Sequence, residues 1–442
     1  MKKQLQNIQF RIPKEVHEKM LIDLKRPHDF AYERVGFLFA KTILLSPSQY
    51  LVIATDYKPV ADDNYIDDPE VGAKINSTAI RNAMQETFDK RCGCFHVHLH
   101  DHNGKPYPSP TDEAGLPGIV DSFTNIASQH ANGILILSKD AFYTAIKVGG
   151  SKNFLKSTSI SIVGFPFLLQ YGNNSLSKNA VFDRQSFLGP NSQNLIDNIK
   201  IGIIGYGGGG SHIGQQLAHI GFKHITIFDD DHIEDSNLNR LVGANYADIK
   251  KSTPKTVIAS RIIKSILPSA KVTLVEKKWQ DLPEALQSCD IILGCVDSYS
   301  ERQQLEAECR RFLIPLIDIG MDVYYSEGYS MSGQVILSMP GSSCMSCYGF
   351  LTEAKLAKEA EKYGKVGGRP QVVWPNGVLA STAIGILVDI VTGWTGMNNQ
   401  SVYLAYDGNS GKIENHIRKM HAPNCCEHYP ITAVGQAQYN KI

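Results

Sequence analysis

Residues 201–222 read IGIIGYGGGGSHIGQQLAHIGF. A β-branched apolar run ends in a glycine turn, and a helical pattern starts at once. Gly205-x-Gly207-x-x-Gly210, with Gly208 inside it, fits the dinucleotide fingerprint. Its glycines permit a tight turn and close backbone approach, and the N–H groups at the start of the following helix face phosphate. Asp229 ends the next apolar run, where a carboxylate can hold ribose hydroxyls. Alone, this pattern admits NAD as readily as ATP.

Outward from the loop, KIGIIGY, HITIFDD, KVTLVE, DIILGCVD and PLIDIGM recur with helical spacers. Such runs predict a parallel sheet buried on both faces. After residue 328, YSMSGQVILSM and the pair SVYLAYD/KIENHI around Gly408-Asn409-Ser410-Gly411 read as antiparallel. EAKLAKEAEKYGK (353–365) reads as a solvated, charged helix. The polar, turn-rich QYGNNSLSKN (170–179) separates this half from the first and marks the expected domain boundary, with domains at 1–172 and 180–442.

Charged residues follow the glycine turn in order: DDDHIEDSNLNRL (229–241), STPK (252–255) and GCVDS (294–298). Cations converging on phosphates suit nucleotidyl transfer, in which negative charge builds as pyrophosphate leaves. Asp297, at the C-terminal end of a strand, is placed to hold magnesium. With FDRQSFLGPNSQNL (182–195), these words resemble the ubiquitin-activating-type adenylyltransferases of the ThiF/MoeB/HesA superfamily. The resemblance implies a Rossmann-like, mostly parallel adenylation domain with an antiparallel C-terminal part. It implies that Asp229 binds ribose, Asn237 helps hold the nucleotide, Arg240 and Lys255 contact phosphates, and Asp297 coordinates Mg2+. It also implies that Arg184 reaches into a partner protomer's site, making a homodimer. The family reaction joins AMP from ATP to the C-terminal glycine of a ubiquitin-like protein.

Cys344-x-x-Cys347 supplies two thiolates in tetrahedral zinc spacing, and Cys425-Cys426-Glu427-His428 offers a second half-site. The expected structural set is Cys344, Cys347, Cys425 and His428, with Cys426 able to replace either of the last two. No cysteine lies between Cys347 and Cys425. Relatives that form a thioester often carry one in that interval, so transfer to a separate conjugating partner or a small acceptor is the alternative.

The first half contains CFHVHLHDHNGKPYPSPTD (94–112). His96, His98 and His100 alternate along a strand and so share one face. Two of them plus Asp112 make a three-ligand set with an open position, the arrangement of a catalytic zinc. Ser109 stands three residues before Asp112, near a helix start. Glu33, in AYERVGFLFAK, precedes a short apolar strand. These words resemble the JAMM (MPN, or JAB-like) metalloprotease domain, an α+β fold. The resemblance implies Glu33 as general acid/base, Ser109 as stabiliser of the tetrahedral intermediate, and zinc on two histidines and Asp112. The loop length favours His98/His100; the local context favours His96/His98. His102 reads as a loop residue.

Both halves thus resemble enzymes acting on the C-terminal tail of a ubiquitin-like protein, as in prokaryotic conjugation systems. Sulfur-carrier activation in cofactor biosynthesis is the alternative; an NAD(P)-dependent oxidoreductase and a catalytically decayed scaffold fit fewer of the residues. The 442 residues carry 44 basic and 44 acidic side chains, so a polyanion-binding surface across the chain, and with it nucleic acid, is not expected. MKKQLQNIQF lacks a signal-peptide run and no run of 18 apolar residues occurs, so no membrane partner and a cytoplasmic location are expected. Nine cysteines, an odd number, read as thiols and metal ligands of a reducing compartment.

Overall fold

The computed structural model of the protein describes residues 6–28, 31–68, 71–172, 180–361, 370–397, 401–423, 425–430 and 433–435. Most of the 170–179 boundary stretch, and positions 362–365 of the charged helix, lie outside the described residues. The chain divides into two compact units. One comprises Met1–Val163, Leu168–Asn173 and Ile431–Gly435; the other comprises Gly164–Phe167, Asn174–Pro430 and Gln436–Ile442.

The first unit opens with β1 (Asn7–Pro13), α1 (Lys14–Leu24), β2 (Val35–Ser46) and β3 (Gln49–Pro59). It continues through α2 (Ser77–Lys90), β4 (Gly93–Leu99), α3 (Pro110–Ile126), β5 (Asn132–Leu137), β6 (Phe142–Lys147), β7 (Ser159–Val163) and β8 (Leu168–Tyr171). These strands form one mixed sheet in the order β6-β5-β4-β2-β3-β1-β7-β8. The alternation along β4 sorts its side chains. Phe95, Val97 and Leu99 join one core with Phe10 and Leu135, while Cys94 faces the other with Phe37, Phe39 and Phe123. Helices α2 and α3 cover the Cys94 side, which is also the histidine side. Asn76 caps α2: its side chain accepts from the N–H groups of Thr78 and Ala79.

The second unit runs α4 (Ser192–Asn198), β9 (Lys200–Ile204), α5 (Gly208–Ile220), β10 (His224–Phe228), α6 (Tyr246–Lys250) and α7 (Lys255–Ile266). Next come β11 (Lys271–Val275), α8 (Pro283–Gln287), β12 (Ile291–Gly294), α9 (Tyr299–Arg311), β13 (Leu316–Tyr325) and β14 (Tyr329–Ser338). It ends with α10 (Glu353–Glu361), α11 (Val373–Thr392), β15 (Val402–Asp407) and β16 (Lys412–Asn415). The sheet order is β11-β10-β9-β12-β13-β14-β15-β16. The first five strands are parallel and the last three antiparallel, as the sequence pattern predicts. The strand order turns back at β9, so the crevice beyond the C-terminal ends of β9 and β12 is the ligand position of a doubly wound sheet.

Helix α11 contains no run of 18 apolar residues but is long and apolar enough overall to cross a membrane. Its 20 residues pass that test by length and composition. It packs against α5, β13 and β14 and buries Leu379, Ala383, Leu387 and Ile390, as a core helix does.

Candidate functional site

In the second unit a cavity of about 390 Å³ opens at the C-terminal ends of β9, β10 and β12. The glycine turn forms its floor. Gly205 adopts φ +86, a left-handed conformation that glycine takes without strain. Gly210 does not line the cavity: a Cβ there would lie 2.1 Å from the Gly205 carbonyl oxygen, so its role is to let α5 pack on the turn. Gly207 and Gly208 line the cavity, at the N-terminal end of α5.

The charged residues of the site hold one another. Asp229 Oδ2 accepts from the Tyr206 N–H at 2.6 Å and Oδ1 from the Asp231 N–H at 3.0 Å, tying the carboxylate to the turn. Burial raises its pKa and the charge of Lys255 opposes the rise. Lys255 donates to Asp231 at 2.6 Å and stands 3.8 Å from Asp229. It is also the first residue of α7, where a cation opposes the helix dipole. Those two carboxylates offset that cost, and a phosphate there would too. Arg240 lines the cavity with its guanidinium on the Ser236 carbonyl at 2.6 Å and the Asn239 side chain at 3.0 Å. Asp297 accepts from Gln371 at 3.2 Å.

Asn237 does not line the cavity; its side-chain oxygen accepts from the Glu234 N–H at 3.2 Å and caps a short turn. The polar wall comes instead from Gln371 and Asn376, which the sequence reading did not single out. Asn376 belongs to α11, and a Cβ on Gly208 would touch its amide at 2.5 Å. Arg302 and Asp318, likewise missed, form a buried pair 3.1 Å apart that ties α9 to β13 behind the cavity. Burial pushes Asp318 up to about 6 against the pull of Arg302. An aspartate inside the apolar run PLIDIGM was the available signal. Arg184 is exposed and outside the cavity lining.

A second cluster in this unit gathers Cys344, Cys347, Cys426 and His428, with all ligand atoms within 4.8 Å of one another. His428 Nδ1 lies 3.5, 3.4 and 3.8 Å from the three sulfurs. Tetrahedral zinc with bonds of about 2.0–2.3 Å puts its ligand atoms about 3.3–3.8 Å apart, so this donor set fits the ion. Cys426 takes the place expected for Cys425, which is exposed and outside the cluster; of two adjacent residues in an irregular segment, one turns in and its neighbour out. A hydrogen bond from Cys344 lowers the Cys426 pKa to about 4 and pushes that of Cys344 up. Arg310 braces the approach to Cys344 by donating to the Ser342 and Ser343 carbonyls at 2.9 and 2.7 Å.

In the first unit, His98 Nε2 lies 3.2 Å from His100 Nε2 and 3.5 Å from Asp112 Oδ2. Neighbouring ligands of a tetrahedral ion stand about 3.3 Å apart, which these two spacings approach, but the group that lies mutually within 4.8 Å is Glu33, His98 and His100, without Asp112. Glu33 Oε1 is 3.8 Å from His100 Nε2. The β2–β4 register explains this: Val35 pairs with His98, so Glu33 falls opposite His100. Tyr65 holds the start of β2, its hydroxyl accepting from the Val35 N–H at 2.8 Å and donating to the Val35 carbonyl at 3.2 Å. Burial raises the Glu33 pKa. Ser109 caps α3, and its N–H and hydroxyl both donate to Asp112 Oδ2 at 2.8 Å. His96 does not join the cluster. It is buried edge-on against Phe37, with its pKa lowered to about 3 by that burial, and Nδ1 has no partner. His102 is exposed on the loop, bonded to the Asn103 carbonyl at 2.8 Å.

Residues 182–427 match the ThiF family. The match covers more than half of the chain, and the protein belongs to that family. Among curated proteins, it is 28% identical over 162 residues to the SAMP-activating enzyme E1 of Haloferax volcanii, covering 36% of this chain and 57% of that protein. It is 30% identical over 159 residues to the sulfur carrier protein ThiS adenylyltransferase of Escherichia coli, covering 35% and 59%. The chain thus spans somewhat over half the length of these curated relatives. Among solved structures, E. coli MccB with AMPCPP and MccA aligns at TM-score 0.47 and 19% identity, over 60% of this chain and 76% of that one.

Proposed function

We propose that the second unit is an ATP-dependent adenylyltransferase that activates the C-terminal glycine of a ubiquitin-like protein or sulfur carrier. The observation that carries this reading is the meeting of the glycine turn, Asp229, Arg240, Lys255 and Asp297 in one cavity. In the reaction the glycine carboxylate attacks the α-phosphorus of ATP and pyrophosphate leaves. Lys255 exchanges Asp231 for phosphate oxygens, and Arg240 swings from the Ser236 carbonyl to the same anion. Asp297 would hold Mg2+, which neutralises phosphate charge. Arg184 would act in a partner copy's site. An acyl-adenylate then passes to a conjugating partner or to sulfur.

The first unit we read as a JAMM-type zinc peptidase acting on the same tail, in the cytoplasm. Zinc held by His98, His100 and Asp112 would supply an acidified water and polarise the scissile carbonyl. Glu33 takes the proton of the attacking water and returns it to the leaving nitrogen. Ser109, released from Asp112, donates to the oxyanion.

The nucleotide reading is tested by thermal shift with MgATP and with NAD(P)H. At a hundredfold excess over Kd, a ligand specific to the native state adds about 2.7 kcal/mol of stability. MgATP is expected to raise the midpoint and NAD(P)H to leave it; the reverse result sinks the adenylyltransferase reading.

The structural zinc is tested by metal content. Cys426→Ser should weaken zinc retention by more than the roughly hundredfold that losing a supporting hydrogen bond brings. Cys425→Ser should leave the zinc content unchanged. Zinc loss in the Cys425 variant alone would restore the original ligand set.

A further inference from the structure

The cavity extends past its phosphate and ribose positions. With phosphates at Gly207 and Gly208 and ribose at Asp229, a nucleotide points its base away from the glycine turn. The same cavity is lined by Lys278 and Trp279, from the segment after β11, and by Glu301, in the first turn of α9. Burial raises the pKa of the Glu301 carboxylate, and the charge of Lys278 opposes the rise. Trp279 is 1% exposed and supplies a rigid apolar wall. Glu301 lines the cavity half-buried. Its backbone N–H is used, donating to Ser298 Oγ at 3.1 Å, but no described residue hydrogen-bonds its carboxylate. A carboxylate that lines a ligand cavity and has no donor among the described residues can accept from a donor on the ligand in place of water.

We infer that Glu301 is the specificity residue for the base, accepting a hydrogen bond from the exocyclic 6-amino group of a purine nucleotide. This inference rests on the nucleotide reading above. A 6-oxo purine of the same shape turns a lone pair towards the carboxylate, so it loses the bond and meets repulsion. A hydrogen bond to a charged group sets a discrimination of about ten- to a hundredfold. The choice is made by the protein's own side chain in addition to any backbone contacts. Metal binding by Glu301 beside Asp297 is the competing role.

The test is calorimetric titration of ATP and ITP, at two magnesium concentrations, into wild type, Glu301→Ala and Glu301→Gln. Thermal midpoints without nucleotide check that the variants fold. Wild type is expected to prefer ATP by about ten- to a hundredfold. Glu301→Ala should bring the ratio near one by weakening ATP. Glu301→Gln should bind both nucleotides alike, because its amide can present either its oxygen or its NH2 group. A wild type that binds ATP and ITP equally overturns the inference and leaves the nucleotide reading standing. So does an Ala variant with an unchanged ratio, including one with a raised magnesium requirement, which would assign Glu301 to the metal. If wild type binds neither nucleotide, the nucleotide reading itself fails.

Discussion

Lys255→Ala is expected to weaken MgATP binding by about a hundredfold, measured by calorimetry. Truncating one partner of a hydrogen-bonded charge pair costs about 2–5 kcal/mol, and about 1.4 kcal/mol is tenfold in affinity. The free protein should tolerate the change. Lys255 sits at the positive end of α7, so its removal relieves an unfavourable dipole contact. Asp229 keeps its bonds from the Tyr206 and Asp231 N–H groups, and the buried face of α7, Ile258, Ala259 and Ile263, is untouched. A thermal midpoint close to wild type together with lost MgATP affinity is therefore the expected pair of results. Unchanged MgATP affinity would remove Lys255 from the phosphate site and with it the main support for nucleotidyl transfer.

Glu33→Gln is expected to lower the turnover of a ubiquitin-like protein bearing a fluorogenic amide on its terminal glycine by about 10²–10⁴-fold, the usual contribution of a general acid–base group. The substitution keeps the shape of the side chain beside His100 and Gly72. Zinc content should hold at the wild-type level, because His98, His100 and Asp112 supply the ligands. Zinc loss on Glu33→Gln would instead make Glu33 a ligand, which its position within 4.8 Å of both histidines also permits geometrically. Wild-type turnover in the variant would end the peptidase reading of this unit.

What the sequence disclosed was what local chemistry decides. The strand–turn–helix at Gly205 was readable because glycine spacing and apolar period change within a few residues. The helix start near Ser109 was readable because serine, proline and aspartate stand there in order, though the cap itself was not named. Long-range pairing was not readable. His96 and His98 share a face of β4 and His100 follows its end, and what separates them is the neighbour: Phe37 pairs with His96, whereas Glu33, just before β2, lies 3.8 Å from His100. The choice between Cys425 and Cys426 depends on the path of an irregular segment, which neighbouring positions in a sequence do not encode. The polar wall of the nucleotide cavity comes from Gln371 and Asn376, well over a hundred residues beyond the glycine turn, and no spacing rule links them. Asn237, expected by resemblance to help hold the nucleotide, accepts from the Glu234 N–H through its side-chain oxygen, a local cap that the resemblance did not disclose.

The pairing of Lys255 with Asp231 has a consequence for selectivity among anions. A cleft of bare cations would collect chloride, sulfate or any acidic surface. Here the lysine is already neutralised by its neighbours, so a newcomer wins only by exchange. It must offer the lysine a better partner than the exposed Asp231 and also bear the nearness of the buried Asp229 carboxylate. A simple anion does the first and not the second. A metal–polyphosphate complex carries both signs and does both, so the proposed metal–nucleotide is expected to displace Asp231 where chloride or sulfate does not.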